Sequence, residues 1–527
     1  MRDAIVIGGG LNGLVAAASL ARRGASVLLL DQRAEIGGAA VTSEIAPGFR
    51  APALSHALGP IDAHVARALR LSHAGVDFVT PDPAVTSLGL DRRTLVFHRD
   101  PVLTAASIHP HSSGDASRWR GFLQTTQRIA EILAALDQQA LPSIDDMRTS
   151  DWWPLVKIGR RVRGLGKADL ARFIRWVPMA VADLSAEWFE TDLLQAALCA
   201  RAVFGNFAGP WSAGTGAMLL QSLAADPFPV GSGVTARGGP GAVTQAIAGI
   251  ATKAGAEIVT GARVARIVVR DGRAAGVELE NGRSHDARSV IAAIDPRRAM
   301  LDLVDPVELP VRFRQRMTNV RARGVTAKIN LALARVPAFP ALGDDTLPLR
   351  GRFLIAPHVD YLERAFDAAK YGEISADPWL ELSIPSVLDP TLAPEGKHVM
   401  SMYVHYAPRQ LRGAEWEAKR DALYRSVLRV LEPHIRDLPS FIVAHQVLTP
   451  EDLERELGAS GGHIFHGEPT IDQSLIARPL LGWSQYRTPI AGLFLASAGT
   501  HPGGGLTGLS GWLAAETVHD DLKSRRR

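Results

Sequence analysis

A glycine-rich loop at the start of the chain constrains its fold more than any other feature. The run AIVIGGGLNGLVAAASLARRGASVLLLD reads as a strand, a G-x-G-x-x-G loop, an alanine- and leucine-rich helix and a second apolar strand that ends in an acid. Strand, loop, helix and strand in this order form the βαβ unit of dinucleotide-binding folds. We therefore expect a Rossmann-type α/β domain.

Gly8, Gly10 and Gly13 each have a separate role in such a unit. The first permits a tight turn, the second lets a pyrophosphate approach the main chain, and the third lets the helix pack closely on the strand. The helix N-terminus offers N–H groups and a partial positive charge to the phosphates. Asp31 is placed to accept hydrogen bonds from ribose hydroxyls. The pattern predicts a nucleotide site without choosing between FAD and NAD(P).

A glycine pair, Gly37 and Gly38, follows the second strand. Bare main chain here suits an extended dinucleotide that runs toward a flavin ring, and a simple turn is the alternative. Val264 lies on a later strand, after GAEIVTG, where we expect a backbone contact to adenine. Hairpin turns at glycine follow this strand, as in a small β-meander.

Length and composition indicate a folded protein of more than one domain. The chain has 527 residues, which is too long for one ordinary core. Of these residues, 46% are apolar and 21% charged, which is typical of a folded protein. We expect a discontinuous Rossmann-type domain and an inserted α+β substrate domain with a helical subregion. The first comprises residues 1–90, 235–300 and 481–527, the second residues 91–234 and 301–480, and the helical part about 115–225.

Charge and cysteine content exclude several classes of function. Lysine plus arginine number 58 against 54 aspartate plus glutamate, a net charge of +4 that gives no general case for nucleic-acid binding. Cys199 is the only cysteine, so no intramolecular disulfide, cysteine metal cluster or dithiol redox pair can form. We find no signal-peptide pattern and no membrane-spanning apolar run, and we expect a cytoplasmic protein.

Three separated segments resemble the bacterial-type phytoene desaturase family of FAD-dependent oxidoreductases. They are VIGGGLNGLVAAASLARRG with GGAAVT, then GGPGAVTQAIA with AGAEI, and finally GLFLASAGTHPGGGLTGLSG. GGHIFHGEPTIDQ is similar to a motif of the subgroup named pyridine nucleotide-disulfide oxidoreductase domain-containing protein 2. The lone cysteine still excludes disulfide reduction. The resemblance implies FAD as the cofactor and the Rossmann-type domain as its binding domain.

The resemblance also implies that the terminal glycine-rich motif covers the flavin ring. In our interpretation Gly499 and Thr500 close a strand, and a helix that begins near Leu506 points its positive end at the ring. Ala39 stands where related amine oxidases carry an arginine, and we expect Arg33 to supply that charge. The candidate FAD-binding residues are Gly8, Gly10, Leu11, Asn12, Gly13, Asp31, Gln32, Arg33, Gly38, Ala39, Val264, Gly499, Thr500, Gly504, Gly505, Leu506 and Thr507.

Two histidines are candidates for catalysis. His501 is the titratable residue nearest the terminal loop, and we consider it as a proton acceptor or ring contact. The alternative is a structural histidine that bonds its own loop ahead of Pro502. His56 is a candidate for the substrate side of the ring. His463 and His466 form a weak ligand set with Glu468, which we interpret as a hydrogen-bonded loop and not as a metal site.

These features favour an FAD-dependent oxidoreductase that desaturates, or in reverse saturates, a C–C bond of an apolar, isoprenoid- or polyene-like substrate. No second nucleotide fingerprint is present, so we expect oxygen or a quinone as electron acceptor. Two alternatives stay open: oxidation of an amine or alicyclic acid, and an FAD-containing interaction protein with little turnover. An aliphatic tunnel opposite the flavin favours the first hypothesis, a short polar pocket the second, and a filled cavity the third.

The basic segment of residues 151–176 is a candidate for peripheral membrane contact. It carries seven lysines and arginines against two aspartates, together with three tryptophans. Aromatic residues beside a basic cluster suit an anionic membrane surface. A solvated helix face or an oligomer contact is the alternative, and the oligomeric state stays open.

Overall fold

A computed structural model describes residues 1–142 and 152–525 of the chain. The strands are β1 (Arg2–Ile7), β2 (Val27–Leu30), β3 (Thr42–Ala46), β4 (Phe49–Pro52), β5 (Phe78–Val79), β6 (Val85–Leu88), β7 (Thr94–Phe97), β8 (Thr235–Ala236), β9 (Glu257–Val259), β10 (Val264–Arg270), β11 (Arg273–Leu279), β12 (Ser284–Ala292), β13 (Thr326–Leu333), β14 (Arg352–Ile355), β15 (Leu380–Ser383), β16 (His398–His405), β17 (Ile442–Leu448) and β18 (Leu493–Leu495). The α-helices are α1 (Leu11–Ala21), α2 (Ala63–Leu69), α3 (Pro101–Ile108), α4 (Ser113–Asp137), α5 (Trp152–Gly164), α6 (Gly166–Trp176), α7 (Val181–Ala186), α8 (Asp192–Val203), α9 (Thr215–Ala225), α10 (Pro240–Lys253), α11 (Pro296–Leu301), α12 (Val311–Thr318), α13 (Val359–Lys370), α14 (Pro385–Leu388), α15 (Trp416–Leu431), α16 (Pro450–Leu457) and α17 (Leu509–Ser524).

The first large sheet carries the glycine-rich loop. Its strand order is β10-β11-β12-β1-β2-β9, and β18 pairs with β12. β1 lies between β12 and β2 and is parallel to both. Alternate residues of β1 enter two different apolar cores, one of them shared with α1, α10 and α17. Burial on both faces explains why these strands are continuous apolar runs, and the predicted βαβ unit is confirmed.

A hairpin extension widens this sheet at one edge. β10, β11 and β12 are antiparallel neighbours. Gly272 and Gly282, in the two connecting turns, have φ values of +70° and +80°, a backbone region that favours glycine. The predicted meander with glycine turns is therefore confirmed.

The second large sheet has the order β17-β13-β16-β15-β14-β6-β7. Its strands come from between Val85 and Leu448, and β6 lies on the N-terminal side of the predicted boundary at residue 90. Between Ser113 and Ala225 the described chain is helical in α4 to α9, around a core that includes Trp119 and Trp176. The mixed α/β architecture predicted from the sequence is confirmed.

Across the described residues, none of the helices combines the length and the apolar character needed to cross a membrane.

Candidate active site

One cavity of about 800 Å³ joins the glycine-rich loop after β1 to β14, β15 and β16 of the second sheet. Ligands of open α/β sheets bind outside the carboxyl ends of the parallel strands, so this is the candidate cofactor site. The predicted FAD-binding residues that line it are Gly8, Gly10, Leu11, Asn12, Asp31, Gln32, Arg33, Gly38, Ala39, Val264, Gly504, Gly505, Leu506 and Thr507. Gly13, Gly499 and Thr500 lie outside its wall.

The loop after β1 is shaped by its three glycines in different ways. Gly8 has a φ of +102°, and a Cβ there would lie 2.7 Å from Ile294. A Cβ at Gly13 would overlap the carbonyl oxygen of Gly8, so this glycine serves the close packing of helix on loop. A Cβ at Gly10 would meet no atom nearer than 4.0 Å. Open space beside bare main chain is what the approach of a pyrophosphate requires.

The N-terminus of α1 and the end of β2 also fit a dinucleotide. No side chain caps α1, whose N-cap is Gly10, so its first N–H groups remain available to an anion. The buried Asp31 carboxylate accepts hydrogen bonds from the N–H of Gly9 at 2.6 Å and of Arg33 at 2.8 Å. These bonds leave lone pairs on both oxygens for ribose hydroxyls. Arg33 Nη1 donates to the Gly38 carbonyl at 3.1 Å, which holds its charge beside the glycine pair.

The terminal segment leaves its strand earlier than predicted. β18 ends at Leu495, so the prediction that Gly499 and Thr500 close a strand is wrong. Thr500 Oγ1 instead donates to the Ser497 carbonyl at 2.8 Å and closes a buried turn. A Cβ at Gly499 would lie 2.5 Å from Pro296, so this glycine serves packing against the start of α11.

The terminal helix also begins later than predicted, at Leu509 and not near Leu506. The reason is Gly508, which has a φ of +75° and is the N-cap of α17. Residues 503–507 form an irregular stretch along the cavity wall. The helix still starts directly behind this stretch. Thr507 Oγ1 accepts the N–H of Leu509 at 3.3 Å, and Asn12 Oδ1 accepts that of Gly511 at 3.1 Å. The partial positive charge of the helix start is directed to this end of the cavity.

Gly504 and Gly505 are bare for different reasons. A Cβ at Gly504 would overlap the ring of Phe465, so the missing side chain makes room for that ring. Gly505 has a φ of +90°, and a Cβ there would meet nothing nearer than Thr507 at 3.9 Å. Gly505 therefore presents open main chain at the wall, and Gly504 determines how far Phe465 enters the cavity.

His501 is buried outside the cavity wall. Its Nε2 lies 3.2 Å from the carbonyl oxygen of Leu136 in α4, and its own carbonyl accepts the Tyr486 hydroxyl at 2.8 Å. Burial lowers the pKa of its imidazole to about 4. This placement corrects the catalytic prediction: the structure uses His501 as a structural histidine, bonded to a helix and not to its own loop.

His56 lines the cavity and belongs to a buried charged row that consists of Lys328, His56, Glu381 and Arg352. His56 Nδ1 lies 3.0 Å from Lys328 Nζ, and His56 Nε2 lies 3.1 Å from Glu381 Oε1. Arg352 Nη1 donates to the second oxygen of Glu381 at 2.7 Å. The row thus links His56 to three strands of the second sheet.

The charged row holds His56 neutral. Burial, reinforced by the charge of Lys328, lowers the pKa of His56 to about 3. Burial alone would raise the pKa of Glu381, but Arg352 and His56 outweigh it and hold that pKa below its usual range. Burial lowers the pKa of Lys328 well below its usual value, against the charge of Glu381. A neutral imidazole with both nitrogens engaged donates to Glu381 and accepts from Lys328, and it is not a free base.

Sequence reasoning singled out His56 and missed its three partners. Lys328 and Glu381 stand in TAKINLAL and LELS, strands in which every residue is buried. Lysine and glutamate are almost never fully buried unless they are paired, so a charge inside an apolar strand was the available signal. The sequence does not say that these strands meet.

Apolar side chains form the remaining wall at this end of the cavity. They are Phe204, Tyr403, Leu453, Leu457, Ile464 and Phe465. The rings of Phe204 and Tyr403 meet edge to face, with centroids 5.1 Å apart. The substrate end is therefore apolar along one side and charged along the other.

Asp137, at the end of α4, is a further cavity residue that sequence reasoning missed. Burial raises the pKa of its carboxyl to about 8, and it has no hydrogen-bond or ion-pair partner among the described residues. An aspartate at the end of an amphipathic helix gives no signal in the sequence, because most such residues face solvent.

The histidines of GGHIFHGE lie in a hydrogen-bonded loop, as we interpreted them. His463 Nδ1 accepts the N–H of Phe465 at 3.2 Å. Both oxygens of Glu468 are bound by Arg323, at 2.7 and 2.9 Å. Within residues 1–142 and 152–525, no group of three or more His, Cys, Asp or Glu side chains is arranged to hold a metal ion.

The basic segment forms α5 and α6, and Asp151 lies outside the described residues. Trp176 is fully buried in a core cluster, so its predicted part in a membrane surface is wrong. Asp169 is also buried and binds Arg128 and Arg172, each through a 2.7 Å hydrogen bond. The exposed basic residues include Arg161, Arg163 and Lys167.

Comparisons with known proteins agree with this architecture. Residues 11–519 match the family described as flavin containing amine oxidoreductase. Pyridine nucleotide-disulfide oxidoreductase domain-containing protein 2 of Rattus norvegicus is 34% identical, covering 99% of this chain and 94% of its own. A limonene dehydrogenase subunit from Castellaniella defragrans is 26% identical, covering 99% and 95%. The solved structure of cyclohexylamine oxidase from Brevibacterium oxydans superposes with a TM-score of 0.59 at 17% identity over 99% of both chains, which shows a shared fold.

Proposed function

Since the chain belongs to the flavin-containing amine oxidoreductase family, we propose that it desaturates a carbon–carbon bond of a substrate with an apolar body. It is an FAD-dependent oxidoreductase. Assignment to the phytoene desaturase type within this family is part of the proposal. The limonene dehydrogenase of Castellaniella defragrans supports a substrate of isoprenoid character, because its name states a hydrocarbon and its matching subunit aligns along nearly the whole chain.

The observation that carries this proposal is the apolar wall beyond the cofactor loops. Phe204, Ile464 and Phe465 line the same cavity as the glycine-rich loop. Burial of a hydrocarbon against such side chains is favourable in proportion to the apolar area removed from water. The wall therefore suits a substrate that is held by packing more than by hydrogen bonds.

The chain's own residues bind and orient in this proposal. FAD, which the glycine-rich loop, the N-terminus of α1 and Asp31 would hold, would supply the acceptor for a hydride from one substrate carbon and would relay the electrons to oxygen or a quinone. The adjacent carbon loses a proton to water, so that a double bond replaces the C–C single bond. His56 is held by Lys328 and Glu381 on its two nitrogens, and it positions the charged side of the cavity.

Oxidation of an amine receives less support from this geometry. An ammonium substrate needs an available carboxylate or an aromatic cage. The oxygens of Glu381 are already bonded to Arg352 and His56. Asp137 also lines the cavity, but burial raises its pKa to about 8, so at pH 7 its carboxyl is mostly neutral and offers an ammonium group no counter-charge. An interaction protein with little turnover receives less support, since residues 11–519 match a family of flavin-containing oxidoreductases. Oxidation of an alicyclic acid keeps its support, because charged side chains line one side.

The test uses three ligands with one carbon skeleton: limonene, perillate and perillyl amine. Each is mixed without oxygen with the FAD-loaded protein, and the bleaching of the flavin absorbance is followed. We expect limonene or perillate to bleach the flavin and to give a product that is two hydrogens lighter. Bleaching by perillyl amine alone, with release of ammonia, would overturn the proposal in favour of amine oxidation.

Contact of α5 and α6 with an anionic membrane surface stays a proposal. Arg161, Arg163 and Lys167 are exposed there and support it, since basic residues attract anionic headgroups. Co-sedimentation with phosphatidylserine vesicles tests it. The interaction is expected to weaken when these three residues are changed to glutamine, and an unchanged bound fraction would contradict it.

A further inference from the structure

We propose that the substrate of this site carries a carboxylate, which Arg201 binds beside the fixed positive charge of Arg352. The inference rests on the proposed function, because it names the class of molecule on which that function acts. Arg201 lies near the end of α8, and Arg352 opens β14. Both line the cavity, together with the apolar side chains described above.

The two guanidinium groups converge on one point of bare main chain. A Cβ placed on Gly231 would lie 3.0 Å from Arg201 Nη1 and 3.0 Å from Arg352 Nη2. Gly231 has a φ of +82°, so glycine is favoured here by conformation as well as by space. The glycine thereby keeps open the place where both cations approach each other at the cavity wall.

Arg352 is fixed in this arrangement by acceptors of the protein. Its Nη1 donates to Glu381 at 2.7 Å. Its Nη2 donates to the carbonyls of Val230 at 2.9 Å and of Gly231 at 2.6 Å. Arg352 thus supplies a fixed positive charge next to Gly231, with little capacity left for a ligand.

Arg201 is less well satisfied than Arg352, because only one of its three nitrogens donates a hydrogen bond within the described part of the chain. Its Nη2 donates to the Ser222 carbonyl at 3.2 Å, and the nearest Asp226 oxygen lies 3.9 Å away. Among the residues that the structure describes, Nε of Arg201 is buried without an acceptor, as is Nε of Arg352, and Nη1 of Arg201 has no hydrogen bond. The Asp226 carboxylate is instead used by the N–H groups of Ser232 and Phe228, at 2.6 and 3.2 Å.

An under-bonded cation whose side chain is only 21% exposed is costly, and a carboxylate of the substrate would remove this cost. Leaving a buried charged donor without its acceptor costs more than leaving a neutral one. The planar fork of a guanidinium matches the two oxygens of a carboxylate. Burial lowers the pKa of Arg201, and the charge of Arg352 adds to this effect, while Asp226 and Glu381 oppose it.

The apolar part of the acid can pack against aromatic side chains next to Arg201. Phe204 follows Arg201 by three residues and also lines the cavity. Its ring meets Tyr403 edge to face at 5.1 Å. An acid held at Arg201 would therefore lay its hydrocarbon part against these rings, as the proposed function requires.

The experiment compares perillate with limonene, in which a methyl group replaces the carboxylate. Calorimetric titration of the FAD-loaded wild-type protein at pH 7 measures both dissociation constants. We expect perillate to bind at least about tenfold more tightly, as charge-assisted hydrogen bonds allow. Equal affinities, or tighter binding of limonene, would overturn the inference without any variant being needed.

Variants then locate the effect. Arg201→Gln is expected to raise the dissociation constant of perillate at least about tenfold and to change that of limonene by no more than about twofold. Arg201→Lys is expected to retain part of the preference, because it keeps the charge and loses the fork. Arg364→Gln, at an exposed arginine of α13, is the matched control and should change neither constant. Unchanged perillate binding in a folded, FAD-loaded Arg201→Gln protein would overturn the assignment.

The two proposals fail in different ways. Tight, Arg201-dependent binding of perillate without bleaching of the flavin supports the carboxylate site and counts against desaturation of this acid. Bleaching by limonene, with no preference for perillate, supports desaturation and overturns the carboxylate site.

Discussion

The two ends of the cavity are built in different ways. The nucleotide end is main chain: Gly8 and Gly10, followed by the uncapped N-terminus of α1, all within one short stretch. The substrate end is side chains brought from far apart, with His56, Lys328 and Glu381 in direct contact. Binding at the nucleotide end depends on the absence of side chains beside the main chain. The substrate end depends on charged side chains that pair with one another.

This difference predicts two different effects of substitutions. Adding atoms at the nucleotide end blocks the cofactor, because main chain cannot move aside without disturbing strand and helix. Removing one charge at the substrate end leaves its partners buried and unpaired. The predictions below distinguish these outcomes and run from the largest expected effect to the smallest.

Gly13→Ala should abolish FAD binding. The new methyl group would overlap the carbonyl oxygen of Gly8, and we expect a loss of at least about 4 kcal/mol in the free energy of unfolding. FAD content after purification and urea unfolding measure the two effects. Gly249→Ala, on α10 with no atom within 4 Å of the new Cβ, is the control. Normal FAD content in Gly13→Ala would show that α1 need not pack closely on the loop.

Glu381→Gln should destabilise the protein by about 3 kcal/mol, because it leaves Arg352 without its buried counter-charge. Urea unfolding measures the change. Glu278→Gln removes the half-buried partner of the exposed Arg266 and should cost no more than about 0.5 kcal/mol. Equal effects of the two substitutions would mean that the charged row adds nothing specific to stability.

Gly504→Val should weaken FAD binding about tenfold, or about 1.4 kcal/mol, while most of the fold remains. The added side chain overlaps Phe465 and displaces its ring into the cavity. Reconstitution of the apoprotein with FAD measures the affinity. The double variant with Phe465→Ala should recover most of it, and failure to recover would mean that Gly504 contacts FAD directly.

Asp137→Asn should stabilise the apoprotein by about 1 kcal/mol at pH 8 and hardly at pH 4. The pKa of Asp137 is raised to about 8 by burial. The aspartate therefore costs no stability below the unfolded pKa near 4, and it lowers the free energy of unfolding increasingly as pH rises to about 8. Its partial access to cavity water reduces the effect. Unfolding in urea at both pH values checks it, and a gain that is the same at both would contradict the raised pKa.

The nucleotide end could be predicted from the sequence because its parts are neighbours in the chain. Gly10 and Asp31 need only the local βαβ unit to come together. The predicted strand end at Thr500 and the predicted helix start near Leu506 were wrong. A buried turn at Ser497 and the left-handed Gly508 set the true boundaries, and apolar periodicity does not show such local conformations.

The substrate end could not be predicted, because its contacts depend on how strands pair. Lys328 and Glu381 meet His56 only once β13 and β15 flank β16 in the second sheet. Each was visible as a charge in an apolar strand, yet nothing in the sequence paired them. Asp137 and Arg201 likewise required the packing of helices around the cavity.

The most direct test of the account is a comparison of flavin content with flavin bleaching in His56→Gln. If one cavity holds FAD by main chain at one end and orients substrate by the charged row at the other, this variant should retain wild-type FAD. Its bleaching by perillate without oxygen should be at least about tenfold slower. Loss of FAD as in Gly13→Ala, or bleaching at the wild-type rate, would contradict the account.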